Sequence, residues 1–184
     1  MSTAPRAPVA AWIIPIVLFA IAGVIFVTSF QKEAAVPLTG DQSTGSAHVG
    51  SAAPDVDLLG LDGKRLTLAK YRGKPVWVNF FATWCPPCKD ELPEIERRYQ
   101  NGRMRDLVVL GVDQQERTAQ IKPFIARFGL RYPVVVDASG QGAITYDLIA
   151  LPTSVFIDRT GVVRFIQIGE MSPPLMDAAL KKIL

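Results

Sequence analysis

The stretch that decides the fold runs from Val76 to Cys88 and reads VWVNFFATWCPPC. Its first six residues are apolar apart from Asn79, a pattern typical of a short strand buried on both faces of a sheet. A C-x-x-C pair follows, and residues 86–101 then repeat apolar residues at the three- to four-residue spacing of an amphipathic helix. The pattern predicts a strand that runs into a helix, with the two cysteines at the junction.

Strands and helices alternate after this segment. We predict strands at 107–112, 134–136, 154–158 and 162–168 and helices at 117–128, 142–149 and 173–183. The turn sequence Asp158–Gly161 joins the last two strands, which should therefore pair as a hairpin. Strands that alternate with helices and finish in a hairpin and a helix indicate an α/β domain, which we place at residues 50–184.

Both cysteines of the chain lie in one motif, as Cys85 and Cys88. A zinc site would need two further ligands, and covalent haem attachment would need a histidine where Lys89 stands. A purely structural disulfide is disfavoured, because closing a four-residue loop constrains the unfolded chain little. We interpret the pair as redox-active, with Cys85 at the helix N-cap as the attacking thiolate and Cys88 as the resolving thiol.

Two prolines separate the cysteines. Pro86 and Pro87 suit the first helical turn, but each lacks an N–H that could face the sulfur of Cys85. We therefore expect the thiolate to be stabilised only moderately, which favours the disulfide form and makes the dithiol a reductant. No metal and no cofactor other than the Cys85–Cys88 disulfide is expected.

The most apolar part of the chain lies far from this motif. Residues 11–30 hold no charge in twenty positions, enough for a helix to cross a hydrocarbon core of ~30 Å. We predict an uncleaved anchor over a cleaved signal peptide or a buried soluble helix, because the run exceeds a typical signal core. Arg6 precedes it with no acid among residues 1–30. The positive-inside bias then puts residues 1–10 in the cytoplasm and the domain beyond the linker 31–49 on the periplasmic side.

The charge balance excludes one class of partner. After residue 30 the chain holds 19 lysines and arginines against 17 acids, so the domain is nearly neutral. The basic residues are scattered, and we expect short pairs such as Arg97–Arg98 to lie on solvated helix faces. No basic stripe with interleaved aromatic residues is present, so nucleic-acid binding is not expected. His48, the one histidine, lies in the linker, which leaves Cys–His catalysis without a partner.

The segment 79–88, NFFATWCPPC, with Pro93 five residues further on, resembles the thioredoxin fold and in particular the membrane-anchored TlpA/ResA/CcmG (DsbE) group. Residues 50–64 are similar to that group's opening hairpin, and residues 111–116 resemble its G-V-x-x-x-E signature within a central insertion. The resemblance covers about residues 50–184. It implies a thioredoxin-like α/β fold with an N-terminal β-hairpin and a central insertion, preceded by one transmembrane helix.

The resemblance also implies supporting roles for residues around the cysteines. Those expected to bind the client or support the site are Trp84, Pro86, Pro87, Leu151, Pro152 and Thr153, and those expected to tune cysteine ionisation are Glu91 and Glu116. Leu151–Pro152 would be a cis peptide bond opposite the cysteines. Asn79 stands where thioredoxin has a buried aspartate, so proton handling would fall to Glu91, Glu116 or water.

The function implied is that of a membrane-tethered disulfide reductase outside the cytoplasm. It would reduce the cysteines of apocytochrome c during cytochrome c maturation and be re-reduced by a membrane protein of the DsbD/CcdA type. Two alternatives remain open. Residues 50–81 also resemble peroxiredoxins, although these carry Thr or Ser three residues before the peroxidatic cysteine, where this chain has Ala82. A redox-linked chaperone or copper metallochaperone could instead bind its cargo at Cys85 and Cys88.

Overall fold

The computed structural model describes residues 46–101 and 104–184, which are organised by a seven-stranded mixed sheet. The strands are β1 (Asp57–Gly60), β2 (Arg65–Thr67), β3 (Val76–Phe81), β4 (Val108–Gln114), β5 (Val134–Asp137), β6 (Thr153–Ile157) and β7 (Val163–Ile168). The helices are a 3-10 turn (Leu68–Tyr71), α1 (Pro86–Tyr99), α2 (Thr118–Phe128), α3 (Gln141–Thr145) and α4 (Pro173–Leu180). The thioredoxin-like α/β class predicted from the sequence is confirmed.

The strand order is β2-β1-β5-β4-β3-β6-β7. Strands β3, β4 and β5 run parallel, whereas β1 and β6 run antiparallel to their inner neighbours. The pairs β1–β2 and β6–β7 form the two antiparallel hairpins expected at the start and the end of the domain. All six residues of β3 are buried, as its apolar sequence indicated.

Alternation along β3 divides the core into two layers, because successive side chains point to opposite faces of a strand. Trp77 and Phe81 pack under α1, α2 and α4, while Val78 and Phe80 pack on the opposite face with the 3-10 turn and Tyr146. The side chain of Asn79 points to the same face of the sheet as those of Trp77 and Phe81. A polar side chain therefore lies in an apolar layer directly under the helix that carries the cysteines.

Two helices end earlier than their sequence patterns indicated. The helix expected at 142–149 is α3, which stops at Thr145, and the one expected at 173–183 ends at Leu180. Asp147 accounts for the first difference, because its φ of 51° lies in the left-handed region, where a right-handed helix cannot continue. The chain turns there and runs toward Leu151–Pro152.

The residues of the G-V-x-x-x-E signature lie at the end of β4 and in the turn that follows it. Gly111 belongs to β4 and pairs with Asn79 of β3, and only Glu116 stands in the turn that leads to α2. A side chain at position 111 would meet the ring of Tyr132 at 3.0 Å and that of Phe81 at 3.2 Å. Close packing of the rings therefore explains the glycine.

Arg98 is not solvated, in contrast to the sequence-based expectation for the Arg97–Arg98 pair. Its side chain is only 2% exposed and forms ion pairs of 2.8 Å with Glu94 and Asp177. The guanidinium also donates to the carbonyl oxygens of Glu94 and Pro173, so its buried donors have acceptors. The ion pair with Asp177 and the hydrogen bond to Pro173 link α4 to α1. Arg97 remains exposed.

The predicted cytoplasmic segment 1–10, the anchor 11–30 and most of the linker 31–49 lie outside the described residues. Within 46–101 and 104–184, none of the helices has the length and apolar character needed to cross a bilayer. The last residues of the predicted linker contact the domain: Ala47 is buried, and its N–H donates to the carbonyl of Thr145 at 3.2 Å.

Candidate active site

The two cysteines lie where the chain passes from β3 to α1. Cys85 is the N-cap of α1, and its sulfur accepts a hydrogen bond of 3.3 Å from the backbone N–H of Cys88. The two residues form a disulfide with their Cα atoms 5.3 Å apart. Pro86 and Pro87 occupy the first two helical positions, where the missing N–H groups cost no helical hydrogen bond. The structure is therefore that of the oxidised protein.

An apolar groove, called here the Cys85 groove, opens beside the disulfide. Its walls are formed by Trp84, Cys85, Pro86, Pro87, Gln114, Ala143, Leu148, Ile149, Ala150 and Leu151. Cys85 is only 3% exposed, yet it lines this groove, so a reacting partner would reach its sulfur from that side. Trp84 and Ile149 are 65% and 75% exposed, which is unusual for side chains of this size and leaves apolar area free for a partner.

The cis peptide bond expected at Leu151–Pro152 is present. Strand β6 pairs with β3 so that Thr153 lies opposite Phe80, which brings the preceding loop beside the segment that leads to Cys85. The Thr153 hydroxyl donates to the carbonyl of Ala150 at 2.7 Å. Leu151 lines the groove together with Cys85, so the two stretches that the sequence singled out meet at one site.

Glu91 lies on α1 one turn after Cys88 and is buried, with 2% of its surface exposed. Its Oε1 accepts from the amide of Asn79 at 2.7 Å and its Oε2 from the backbone N–H of Met171 at 3.1 Å. Burial outweighs both bonds and raises the pKa of Glu91 from 4.5 to about 7. This carboxyl can therefore gain or lose a proton near neutral pH.

Asn79 joins Glu91 to a buried network on β6. Its amide nitrogen also donates to the Ser154 hydroxyl at 3.1 Å, and that hydroxyl accepts from the indole N–H of Trp77 at 2.9 Å. The amide oxygen of Asn79 has no hydrogen-bond partner within the described residues. A buried polar atom without a partner is uncommon in folded proteins and calls for a physical explanation.

Glu116 holds the loop that precedes the cysteines. Its carboxylate accepts a hydrogen bond of 2.6 Å from the Thr83 hydroxyl and another from the Thr83 backbone N–H. Thr83 stands two residues before Cys85, so this contact fixes the backbone that carries the Cys85 sulfur. The side chain of Glu116 contacts the loop from the turn after β4, whereas Glu91 lies on the buried face of α1.

Asp113 is a buried acid that the sequence analysis did not single out. Its Oδ1 accepts from the backbone N–H of Glu116 at 3.1 Å, while its buried Oδ2 is without a partner in the part of the chain described. Burial and the neighbouring Glu116 raise the pKa of Asp113 from 3.8 to about 8. A charged residue in the otherwise uncharged strand Val108–Gln114 was the sequence feature that could have revealed it.

A thioredoxin-type sheet that presents a C-x-x-C disulfide at a helix N-terminus, beside a cis-proline loop, defines the class of thiol-disulfide oxidoreductases. Comparison with known proteins agrees with this class. The chain belongs to the AhpC/TSA family, whose model matches residues 49–166. Its relatives named thiol-disulfide oxidoreductase ResA include that of Geobacillus kaustophilus, which is 34% identical over 171 residues, or 93% of this chain and 92% of that protein.

The ResA protein of Bacillus subtilis is 33% identical over 131 residues, which is 71% of this chain and 73% of that protein. Among solved structures, a thioredoxin-family thiol:disulfide interchange protein from Chlorobium tepidum matches with a TM-score of 0.64 at 28% identity, over 74% of this chain and 97% of that one. The exposed lipoprotein thioredoxin Etrx1 of Streptococcus pneumoniae gives a TM-score of 0.60 at 34% identity, over 70% and 99%. The protein is thus an enzyme of thiol:disulfide interchange.

Proposed function

We propose that this oxidoreductase reduces disulfides in client proteins, held at the membrane by residues 11–30 with its domain on the periplasmic side. The proposed client is apocytochrome c, whose C-x-x-C-H cysteines must be reduced during cytochrome c maturation. The proposed electron donor is a membrane protein of the DsbD/CcdA type. A tether would keep the enzyme near both partners and raise their effective concentration.

The observation that carries the proposed direction is the small number of N–H groups at the Cys85 sulfur. Among the described residues, one backbone N–H, that of Cys88, donates to it. Pro86 and Pro87 occupy the positions from which two further N–H groups could have pointed at the sulfur. Few donors mean a weakly stabilised thiolate, and a weakly stabilised thiolate favours the disulfide, so the dithiol form gives up its electrons readily.

Reduction of a client proceeds in two balanced steps. The Cys85 thiolate attacks one sulfur of the client disulfide, the client S–S bond breaks, and the departing client thiolate takes up a proton. Cys88 then loses its proton and attacks the Cys85 sulfur of the mixed disulfide, which releases the second client thiolate, to be protonated in turn. Two electrons pass to the client, and the Cys85–Cys88 disulfide re-forms.

Glu91 is proposed as the acceptor of the Cys88 proton. Residues three apart on a helix share a face, so Glu91 and Cys88 lie on the same buried side of α1. The pKa of Glu91, raised to about 7 by burial, suits proton exchange near neutral pH. Glu116 has a different proposed role, because its carboxylate is bound to Thr83 and holds the loop in place.

The Cys85 groove supports a client that offers an extended, partly apolar chain around its cysteines. The exposed side chains of Trp84 and Ile149 and the half-buried side chain of Leu151 provide apolar contacts beside the reacting sulfur. Backbone groups next to a cis-proline can pair with an extended chain, which is a common mode of peptide recognition. Shape and backbone contacts then bring the client disulfide to Cys85.

The test uses the full chain and a peptide that carries an oxidised C-x-x-C-H motif. Cys85→Ser should abolish reduction, and Cys88→Ser should accumulate a mixed disulfide through Cys85. A matched peptide with a C-x-x-C-A motif shows whether the histidine matters. The proposed direction is wrong if the reduced wild-type protein leaves the oxidised peptide unchanged, or if the oxidised protein oxidises the reduced form of the same peptide.

Two further measurements separate the alternatives. Rapid consumption of hydrogen peroxide would favour a peroxidase, although Ala82 places no hydroxyl three residues before Cys85. Stoichiometric Cu(I) binding without disulfide reduction would favour a metallochaperone. Location is tested in intact cells with a membrane-impermeant maleimide applied after reduction: because the chain has two cysteines and both lie in the domain, labelling without lysis would support the periplasmic side.

A further inference from the structure

Within the described residues, the side-chain amide of Asn79 has hydrogen-bond partners at its nitrogen and none at its oxygen. Its nitrogen donates to Glu91 Oε1 at 2.7 Å and to Ser154 Oγ at 3.1 Å. Its oxygen is buried and, in the described ranges, has no donor. The arrangement matches an ionised Glu91, which is an acceptor only, and leaves the amide oxygen unused.

Protonation of Glu91 would break this match. The backbone N–H of Met171 donates to Oε2 at 3.1 Å, so a proton on the carboxyl belongs on Oε1. In the present orientation that proton would face the amide N–H group of Asn79, and two donors would point at each other. Either the proton or the amide has to change its position.

We propose that the Asn79 amide turns by about 180° when Glu91 takes up a proton, so that its oxygen replaces its nitrogen toward Glu91 and Ser154. This inference rests on the proposed role of Glu91 as proton acceptor. In the turned state the Glu91 carboxyl donates from Oε1 to the amide oxygen. The Ser154 hydroxyl also donates to it.

Ser154 is suited to both states. Its oxygen accepts from the Trp77 indole N–H at 2.9 Å in either case, and its own proton has no acceptor among the residues that the structure describes. Turning the amide gives that proton an acceptor. The exchange places the amide nitrogen where the unpartnered oxygen was, so the number of unpartnered heavy atoms does not increase.

Asn79 is thus a positioning residue for the proton on Glu91. An aspartate at this place would be an acceptor only and would repel an ionised Glu91, and an apolar residue would leave Glu91 Oε1 without a partner. Glu170, which raises the pKa of Glu91, precedes α4, and Tyr132, whose pKa is raised by burial and then by Glu96 and Glu91, precedes β5. None of these groups is a cation, so the amide remains the group that adapts to the proton.

The test exploits the presence of only two asparagines in the chain, Asn79 and the exposed Asn101. The full chain, labelled with ¹⁵N in asparagine and ¹³C in glutamate, is titrated from pH 5 to pH 9 by NMR. The Asn79 amide shifts should follow the Glu91 carboxyl shift with the same midpoint. Cross-peaks from the amide protons to the Glu91 side chain, present at high pH, should disappear at low pH, while the Asn101 amide serves as the reference.

Variants make the result decisive. Glu91→Gln should remove the pH dependence of the Asn79 amide, and Asp90→Asn, at an exposed acid one residue away, should leave it intact. Asn79→Asp should raise the Glu91 midpoint by more than about one pH unit and move the pH profile of disulfide reduction with it. A midpoint that stays in place would contradict a positioning role.

If the amide cross-peaks persist through the Glu91 titration, the Asn79 amide does not turn and this inference is refuted. The titration needs no client, and the same samples are assayed for reduction of the C-x-x-C-H peptide. A fixed amide in an active reductase therefore refutes only this inference. An inactive protein with a turning amide refutes only the proposed function.

Discussion

The two sides of the Cys85–Cys88 pair invert the usual distribution of side chains. The outer side, facing the Cys85 groove, carries exposed apolar groups such as Trp84 and Ile149. The inner side carries Glu91, Asn79 and Asp113, which are buried. The apolar area that we propose for contact with a partner thus lies on the surface, whereas the acids lie inside, where burial raises their pKa.

The largest effect is expected on the inner side, at Glu91. Glu91→Gln removes the proposed acceptor for the Cys88 proton while it keeps the shape of the side chain, so the mixed disulfide should resolve about 100-fold more slowly near pH 7. Stopped-flow decay of a Cys85–client adduct measures this step. Asp90→Asn is the control, and an equal slowing in both variants would show that Glu91 has no special role.

Asp113 should control the pH dependence of stability. Its pKa is 3.8 in general and about 8 in the folded protein, so the folded state keeps a proton that the unfolded state loses. The unfolding free energy should therefore fall as the pH rises from about 4 to about 8. Asp113→Asn should reduce this pH dependence. It should also raise the unfolding free energy at pH 8 by about 2 kcal/mol or more.

Urea unfolding of wild type and Asp113→Asn at pH 5 and pH 8 measures this difference. Glu91 contributes in the same direction over its smaller range, because its folded pKa is also raised. The double variant with Glu91→Gln should therefore be the least sensitive to pH. Stability that increases with pH in the wild type would contradict the assignment of both buried acids.

Glu116 lies on the border between the two sides, and its effect should be smaller. Glu116→Gln replaces a carboxylate that accepts from both Thr83 donors with an amide that has one oxygen, so we expect a loss of about 1–2 kcal/mol in stability. Thermal unfolding measures the loss, and Gln115→Ala at the exposed neighbour is the control. An unchanged melting temperature would show that the loop is held by other contacts.

The smallest change in stability is expected on the outer side. Trp84→Ala removes a side chain that is mostly exposed, so the unfolding free energy should change by less than about 0.5 kcal/mol. The KM for the C-x-x-C-H peptide should nevertheless rise several-fold, because apolar area in the Cys85 groove is lost. An unchanged KM in this variant would show that Trp84 is not part of the proposed client surface.

The sequence was sufficient for the elements that depend on local pattern. The apolar run Val76–Phe81 became the buried strand, and the helix begins at Pro86 as the motif indicated. The resemblance, rather than any local rule, supplied the cis bond at Leu151–Pro152. Proline alone permits a cis bond and does not require one.

The rest depended on tertiary contacts that a single sequence does not reveal. Glu91 has a helix position that suits either a buried or a solvated acid, and the packing of Met171 and Asn79 around it decides the matter. The groove wall at 148–151 is set by the pairing of β6 with β3 and by the early end of α3. Arg98 is likewise buried because α4 supplies Asp177 and the carbonyl of Pro173, which complement Glu94 on its own helix.

The restriction of sulfur chemistry to one pair has a consequence for biogenesis. A chain with several cysteines that folds in an oxidising compartment can form wrong pairs and must be rescued by isomerisation. Here Cys85 and Cys88 are the only cysteines, so a single intramolecular bond is possible and no scrambled isomer of the monomer exists. The protein can therefore acquire its covalent structure without an isomerisation step.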